Sequence, residues 1–247
     1  MKAMILAAGL GTRLRPLTDD RPKALVEIEG RTLLEITLAR LRSFGVHDVI
    51  VNVHHFADQI AQYLQANSNF GMRIVLSRED ELLDTGGGLK KAGFFFLEGA
   101  DAEQPFIVHN VDVLSTIDLA KMVRYHLERR ALATLAVQER KTSRYLLFDE
   151  QLRLCGRGSV ENEPEMVPLV NRPLWLAFSG VHVISPRLLD KMTEQGAFSI
   201  VDTYVRLASA GEPVFGFRAD AYYWRDLGKL ESVTRAAEDV RQGAIAL

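Results

Sequence analysis

Apolar residues run almost unbroken through Met1–Ala8, Val49–Val53, Arg73–Leu76 and Phe106–Val108. Strands covered on both faces lose the alternation of half-buried strands, so these runs predict the buried strands of a parallel sheet. Between them the spacing turns helical, over Leu33–Phe44, Ala57–Ala66, Gly87–Phe96 and Leu119–Arg129. In the last of these, Leu119, Met122, Val123 and Leu127 share one face. Strand–helix alternation of this kind predicts an α/β fold: a Rossmann-like, three-layer arrangement with a mixed, mainly parallel sheet flanked by helices.

Beyond about residue 130 the pattern changes. Ala133–Gln138, Tyr145–Asp149 and Leu152–Cys155 read as strands and Arg157–Pro173 as a polar stretch. Leu174–Ile184 is a long extended segment, Arg187–Met192 and Ile200–Ala210 are helical, and Val214–Arg218 and Tyr222–Arg225 are again strands. Leu230–Gln242 reads as a terminal helix. This half is expected to be more antiparallel. No stretch is rich enough in Pro, Gly or Ser to be a linker, so we expect one domain over 1–247, its halves (about 1–130 and 131–247) sharing one sheet.

Composition narrows the function classes. With 47% hydrophobic and 25% charged residues, 247 residues suit a soluble globular domain. A formal net charge of −2 gives no general affinity for nucleic acid or an anionic membrane, so any phosphate recognition must come from local geometry. The single cysteine, Cys155, excludes an internal disulfide and reads as a small packed side chain. No membrane span or signal peptide is evident, and a cytoplasmic protein is expected.

The candidate chemistry begins at Leu6-Ala7-Ala8-Gly9-Leu10-Gly11-Thr12-Arg13, continuing to Lys23. Gly9 and Gly11 let the backbone turn sharply off the end of a strand, leaving amide N–H groups bare for phosphate oxygens. Arg13, Arg15 and Lys23 add positive charge, arginine as a planar fork and lysine as a movable point charge. The dinucleotide fingerprint is excluded, because Leu14 stands where its third glycine belongs, and no Walker pattern is present.

Further along, the apolar run ending in His109-Asn110-Val111-Asp112 places Asp112 at the C-terminal edge of a strand. A hard carboxylate there suits Mg²⁺, which draws its other ligands from phosphates and water. Thr85-Gly86-Gly87-Gly88 would let a flat ring lie against backbone, or is simply a glycine-rich helix start. Tyr223-Trp224-Arg225-Asp226-Leu227-Gly228 is a short aromatic strand ending in an acid, which alone could be a turn residue. Ser179-Gly180 lies inside a strand, where glycine often marks a bulge. His54 and His55 are adjacent on a strand, point to opposite faces and cannot readily chelate together, so no zinc site is expected.

The run from Leu6 to Val26 resembles the signature of sugar-1-phosphate nucleotidyltransferases, and the resemblance extends to Asp112 and to the late Asp226-x-Gly228 element. It implies the nucleotide-diphospho-sugar transferase fold and the joining of a nucleoside triphosphate to a sugar 1-phosphate with release of pyrophosphate. It further implies that Leu6, Ala7, Ala8, Gly9, Gly11, Thr12, Arg13 and Lys23 wrap the triphosphate, and that Thr85, Gly86 and Gly87 line the base and ribose. Asn110, Ser179 and Gly180 are implied for the sugar, and Asp112 and Asp226 for Mg²⁺. Arg13, Lys23, Asp112 and Asp226 are then the catalytic set. Thr-Gly-Gly-Gly looks most like N-acetylmuramate-1-phosphate uridylyltransferases and the mannose- or heptose-1-phosphate guanylyltransferases. Val111 stands where the family keeps glycine, which could reshape the sugar pocket. The glucose-specific Glu-Lys pair is not recognisable between 155 and 180, and no C-terminal hexapeptide-repeat domain is expected.

A sugar phosphate is already largely dianionic at neutral pH, its second pKa being ~6, so no protein base is required and positioning with charge neutralisation should dominate. Two other readings stay open: a non-catalytic sugar-nucleotide-binding regulator, which should lose metal ligands or loop cations, and a phosphocholine-type cytidylyltransferase, which should carry an aromatic cage. Base, sugar and oligomeric state are left open by the sequence.

Overall fold

The computed structural model describes residues 1–99, 104–159, 165–166 and 172–247. The first half runs through β1 (Lys2–Leu6), a small hairpin of β2 (Glu27–Ile28) and β3 (Arg31–Thr32), α1 (Leu33–Ser43), β4 (Asp48–Val53), α2 (Ala57–Ala66) and β5 (Arg73–Arg78). It continues with α3 (Asp84–Lys91), α4 (Gly93–Leu97), β6 (Phe106–Asn110), β7 (Val113–Ser115) and α5 (Leu119–Glu128). The second half adds β8 (Ala133–Gln138), β9 (Tyr145–Phe148), β10 (Leu154–Gly158), β11 (Glu165–Met166) and β12 (Leu174–Ile184). It closes with α6 (Ile200–Ser209), β13 (Val214–Arg218), β14 (Trp224–Asp226) and α7 (Leu230–Arg241).

Among the described residues ten strands form one sheet, ordered β11-β10-β9-β12-β6-β1-β4-β5, with β8 beside β12 and β13 beside β8. Strands β6, β1, β4 and β5 are parallel, whereas β12 runs antiparallel to β6, β8 and β9. The expected mainly parallel first half and mixed second half are both present. Alternate residues of β1 feed two cores: Ala3 and Ile5 join the one under α1, α2 and α7, and Met4 joins the one under α4 and α6. Burial on both faces is why the strand sequence shows no polar alternation.

Helix starts follow side-chain caps. Thr32 accepts from the Glu35 amide at 3.1 Å, Asp118 from the Lys121 amide at 2.9 Å, and Ser199 from the Val201 amide at 3.3 Å. Four boundaries differ from the sequence reading. The helix expected over Gly87–Phe96 is two, α3 and α4, breaking at Ala92–Gly93, where glycine weakens helix propagation. Arg187–Met192 belongs to a 3-10 turn over Pro186–Lys191, started by proline at its first position. Leu152 does not open a strand: it has φ +61° in a turn held by Asp149 Oδ1, which accepts from the Gln151 and Arg153 amides, so β10 begins at Leu154. The last short strand is displaced to Trp224–Asp226, where it pairs with β7. The start of the polar stretch Arg157–Pro173 belongs to β10, and Glu165–Met166 pairs with β10; residues 160–164 and 167–171 lie outside the described residues.

Cys155 is buried, donates to the Leu147 carbonyl at 3.2 Å, and burial pushes its thiol up to about 11, in line with a packing role. Among the described residues no helix is long and apolar enough to cross a membrane.

Candidate active site

The C-terminal ends of β1, β4 and β6 are in register, Leu6 lying between Asn52 and Asn110, so the segments leaving them gather at one edge of the sheet. Open α/β sheets collect ligand sites at this edge. After Leu6 the chain turns at Gly11, whose φ of +66° favours glycine. A Cβ there would lie 3.0 Å from Thr18 Cγ2 and 3.2 Å from Lys23 Cβ, and the Thr18 hydroxyl donates to the Gly11 carbonyl at 2.9 Å. Gly11 therefore lets the loop close down on the segment that carries Lys23. At Gly9 neither backbone angle nor neighbour demands glycine, since a Cβ would meet nothing within 4 Å. Leu6 and Ala7 are tied into the scaffold: the Leu6 carbonyl accepts from Val111, and the Ala7 amide donates to Asn52 Oδ1 at 2.8 Å, so that N–H is spoken for. Ala8 is buried, whereas Thr12 and Arg13 are exposed.

Lys23 opens a 3-10 turn and its ammonium forms an ion pair with Asp112 Oδ2; both side chains are largely shielded, at 13% and 15% exposure. Antiparallel pairing of β14 with β7 sets Asp226 opposite Val113, and the Leu227 amide donates to the Asp112 carbonyl at 2.8 Å. Two acids 114 positions apart in sequence are thereby fixed at one edge. Asp226 Oδ1 accepts from the Gly228 amide at 2.6 Å. A Cβ at Gly228 would lie 2.7 Å from that oxygen and 2.9 Å from Arg13 Nη2, so Arg13, Asp226 and Gly228 are packed together. Arg13, Lys23, Asp112 and Asp226 thus form one constellation. Arg15 does not join it: it is exposed and faces Asp19 at 3.4 Å. Val111 is 3% exposed within the core, so the branched side chain does not narrow the pocket.

The glycine run of α3 is placed differently from the reading of a ring lying on bare backbone. A Cβ on Gly86 would fall 2.3 Å from the Phe198 ring, one on Gly87 2.5 Å from the Gly196 carbonyl, and one on Gly88 2.7 Å from Glu79 Oε1. Protein already fills those faces, so Gly86 and Gly87 let α3 press against residues 196–198 and Gly88 lets it approach Glu79 and Asn52. The Gly86 amide donates to Phe198 O at 2.9 Å, and Thr85 Oγ1 accepts from Ile200 N at 3.0 Å. Beneath lies a polar network that the sequence reading missed. Asn52 Nδ2 donates to Glu79 Oε1 at 2.7 Å, and Glu79 Oε2 accepts from Leu83 N at 3.0 Å. Together with the Ala7 bond it links the first loop to the start of α3. Its sequence signal was an asparagine inside the otherwise apolar run Val49–Val53, since a buried amide needs partners.

At Asp226 opens a cavity of about 1040 Å³, lined by Arg13, Arg140, Ser199, Trp224, Asp226 and Lys229 among others. Trp224 is pinned by its Nε1, which donates to the Ser179 carbonyl at 2.8 Å. Ser179 itself is fully buried, its hydroxyl directed to Gln138 at 3.3 Å, so it supports the cavity wall from behind. Gly180 sits at a register shift of β12 with φ +72°, and a Cβ there would lie 2.8 Å from Asn110 Nδ2. Asn110 Oδ1 is buried with no partner among the described residues. Trp224 was visible in sequence only as part of the aromatic strand before Asp226, and Arg140, in the charged run Glu139–Arg144, was not singled out. His109 is fully buried and burial holds it down at about 4, so it stays neutral and away from the chemistry. His54 Nδ1 meets the Glu79 carbonyl at 2.9 Å.

Comparison with known proteins places the chain in a family. The chain is 36% identical to the N-acetylmuramate alpha-1-phosphate uridylyltransferase of Caulobacter vibrioides, over 96% of its own length and 97% of that protein. It is 28% identical to the mannose-1-phosphate guanylyltransferase of Mycobacterium tuberculosis, over 98% of its length but 65% of the relative's. The solved structure of UDP-glucose pyrophosphorylase complexed with UDP-glucose shares the fold, with a TM-score of 0.78 at 17% identity and 98% of both chains covered. Residues 2–243 match the nucleotidyl transferase family model, and the chain belongs to that family.

Proposed function

We propose that the chain joins a nucleoside triphosphate to a sugar 1-phosphate, giving an NDP-sugar and pyrophosphate, with Mg²⁺ held by Asp112 and Asp226. The observation that carries this is the β7–β14 pairing, which sets those two acids beside Lys23 and Arg13. The donor set suits the ion. Both groups are hard carboxylates, and one already holds a cationic ammonium. Mg²⁺ takes few protein oxygens and fills its shell from phosphate and water. When bound it supplies charge neutralisation across phosphate oxygens.

The sugar phosphate oxygen attacks the α-phosphorus of the triphosphate; one P–O bond forms, and the bond to the β-phosphate oxygen breaks to release pyrophosphate. Lys23 steadies the α-phosphate and the incoming phosphate, and Arg13 stabilises the departing pyrophosphate. Loss of metal ligands or loop cations would have favoured a regulator, and all four groups are present. A phosphocholine acceptor is disfavoured because the Trp224 face is covered by Arg140 at 3.9 Å and is not free for a quaternary ammonium. Identity over the full length of both chains supports UTP with N-acetylmuramate 1-phosphate as the substrate pair, and the cytoplasm, which holds both nucleotide and sugar phosphates, as the compartment.

The test is pyrophosphate release across UTP, GTP, CTP, dTTP and ATP against N-acetylmuramate, mannose, heptose, glucose and N-acetylglucosamine 1-phosphates. The highest turnover is expected for the uridylyl pair, abolished by EDTA. Asp112→Asn and Asp226→Asn should each lower kcat by about 100-fold or more with folding intact. Near-wild-type turnover in both variants would remove the metal assignment, and a preference for GTP would move the chain to the guanylyl side.

A further inference from the structure

Arg140 stands on the connection between β8 and β9, half-buried on the wall of the cavity. Its guanidinium carbon lies 3.9 Å from the Trp224 ring centroid, and Nη2 donates to the Phe178 carbonyl at 2.7 Å. Nε is buried without a partner, and no carboxylate pairs with the group among the described residues. Burial lowers its pKa, and the charge of Asp226 opposes that shift.

Of the other arginines on the cavity, Arg157 pairs with Asp202 and Arg225 donates to Asp239 at 2.5 Å, whereas Arg13 and Arg144 are exposed to solvent. Arg40 and Arg187 also rest on carbonyls alone, on Ile117 and on Arg130 and Ala131 respectively, but neither lines the cavity. Arg140 is therefore a half-buried, incompletely answered guanidinium on a ligand-sized space beside Asp226. Its plane is fixed by a tryptophan that is itself hydrogen-bonded, so the fork of donors is oriented in advance.

Of the loop residues from Leu6 to Arg13, only Arg13 reaches this cavity, and Lys23 is turned to Asp112. Arg13 is thus the point at which the glycine loop meets the wall that carries Arg140. We infer that Arg140 holds the phosphate of the acceptor sugar 1-phosphate, taking its oxygens in the guanidinium fork and fixing the nucleophile beside Asp226. This rests on the nucleotidyl-transfer reading above. It adds to Lys23 a second holder of the acceptor phosphate, on the β8–β9 connection and outside the glycine loop.

The test uses the full chain with Arg140→Met, which keeps an unbranched side chain beside Trp224 without the charge or the donors, and Arg140→Lys, which keeps charge but not the planar fork. Steady-state pyrophosphate release is measured while each substrate is varied in turn, with UTP and N-acetylmuramate 1-phosphate as the first pair or the best pair of the matrix. Arg140→Met should raise KM for the sugar phosphate about 30-fold, the scale of one charged hydrogen-bonding partner, leave KM for the nucleotide within two-fold, and leave Tm within a few degrees. Arg140→Lys should fall in between. Equal rises in both KM values, or a sugar-phosphate KM unchanged in both variants, would overturn the assignment. If Arg140→Met lowers Tm substantially, the KM split in Arg140→Lys decides. Wild-type protein that releases no pyrophosphate with any pair defeats the nucleotidyl-transfer reading itself, a failure visible before any variant is made.

Discussion

Three imidazoles are locked in the interior, and mild acid should expose them. His109, His126 and His182 are each at most 1% exposed. Burial is the main cause holding His109 and His126 down at about 4 and His182 at about 3, with smaller contributions from the charges of Arg40, Arg187 and His109 respectively. The surroundings favour the neutral rings. The Ser185 hydroxyl donates to the Ala131 carbonyl, so His126 Nε2 must donate to Ser185 Oγ and its Nδ1 accepts from Thr134. Because the folded values lie below the unfolded value of ~6.5, this contribution is intact above pH ~6.5 and is lost as the pH falls toward the folded values. At pH ~5.5 each ring kept neutral lowers the stability by about 1.4 kcal/mol, and the three together by about 4 kcal/mol. Urea unfolding at pH 7.5, 6.5 and 5.5 measures this directly. His182→Gln, which leaves an amide for the Tyr204 hydroxyl, should recover about 1.4 kcal/mol of the acid loss. A variant with the same pH slope as wild type, or a wild-type protein that gains stability on acidification, would refute the reasoning.

Two glycines should separate ligand approach from packing. Gly86→Ala drives a Cβ to within 2.3 Å of the Phe198 ring and should destabilise the fold by about 2–3 kcal/mol, read as a lower urea midpoint. Gly9→Ala meets nothing in the protein, so Tm should hold while KM for the nucleotide rises several-fold; unchanged kinetics would take Gly9 out of the phosphate loop. Asn52→Leu strands the Ala7 amide and Glu79 Oε1 in the interior and should destabilise the fold by about 3 kcal/mol, with a raised nucleotide KM; a stability within 0.5 kcal/mol of wild type would show that the network is dispensable.

The parallel strands were legible because burial on both faces writes itself as continuous apolar runs, and the long helices because their faces repeat. Arg13, Lys23, Asp112 and Asp226 were legible because glycine spacing and strand-end acids are local patterns. What could not be read were relations across distance. The Asn52–Glu79 bond joins residues 27 apart, and Arg140 meets Trp224 across 84 positions, so no window of sequence contains either pair. The glycines of α3 were visible, but their reason was not. Three small residues beside a helix start look the same whether a ring or Phe198 fills the space next to them. Ser179 likewise stands at the right place in the chain but faces inward, because the bulge at Gly180 sets which neighbour points to the cavity.

The central strand β6 has β1 on one side and β12 on the other. A cut after residue 130 would leave β6 with one bare edge in the first fragment and β12 with the matching bare edge in the second. The Ile200 amide to Thr85 hydroxyl bond and the Gly86–Phe198 backbone bond would then run between the two fragments. Neither fragment can satisfy its own sheet, yet each carries the other's missing edge, one with Lys23 and Asp112 and the other with Asp226. The two halves are therefore one sheet and one site written in two stretches of chain, each supplying the strand edge and the acid that the other lacks.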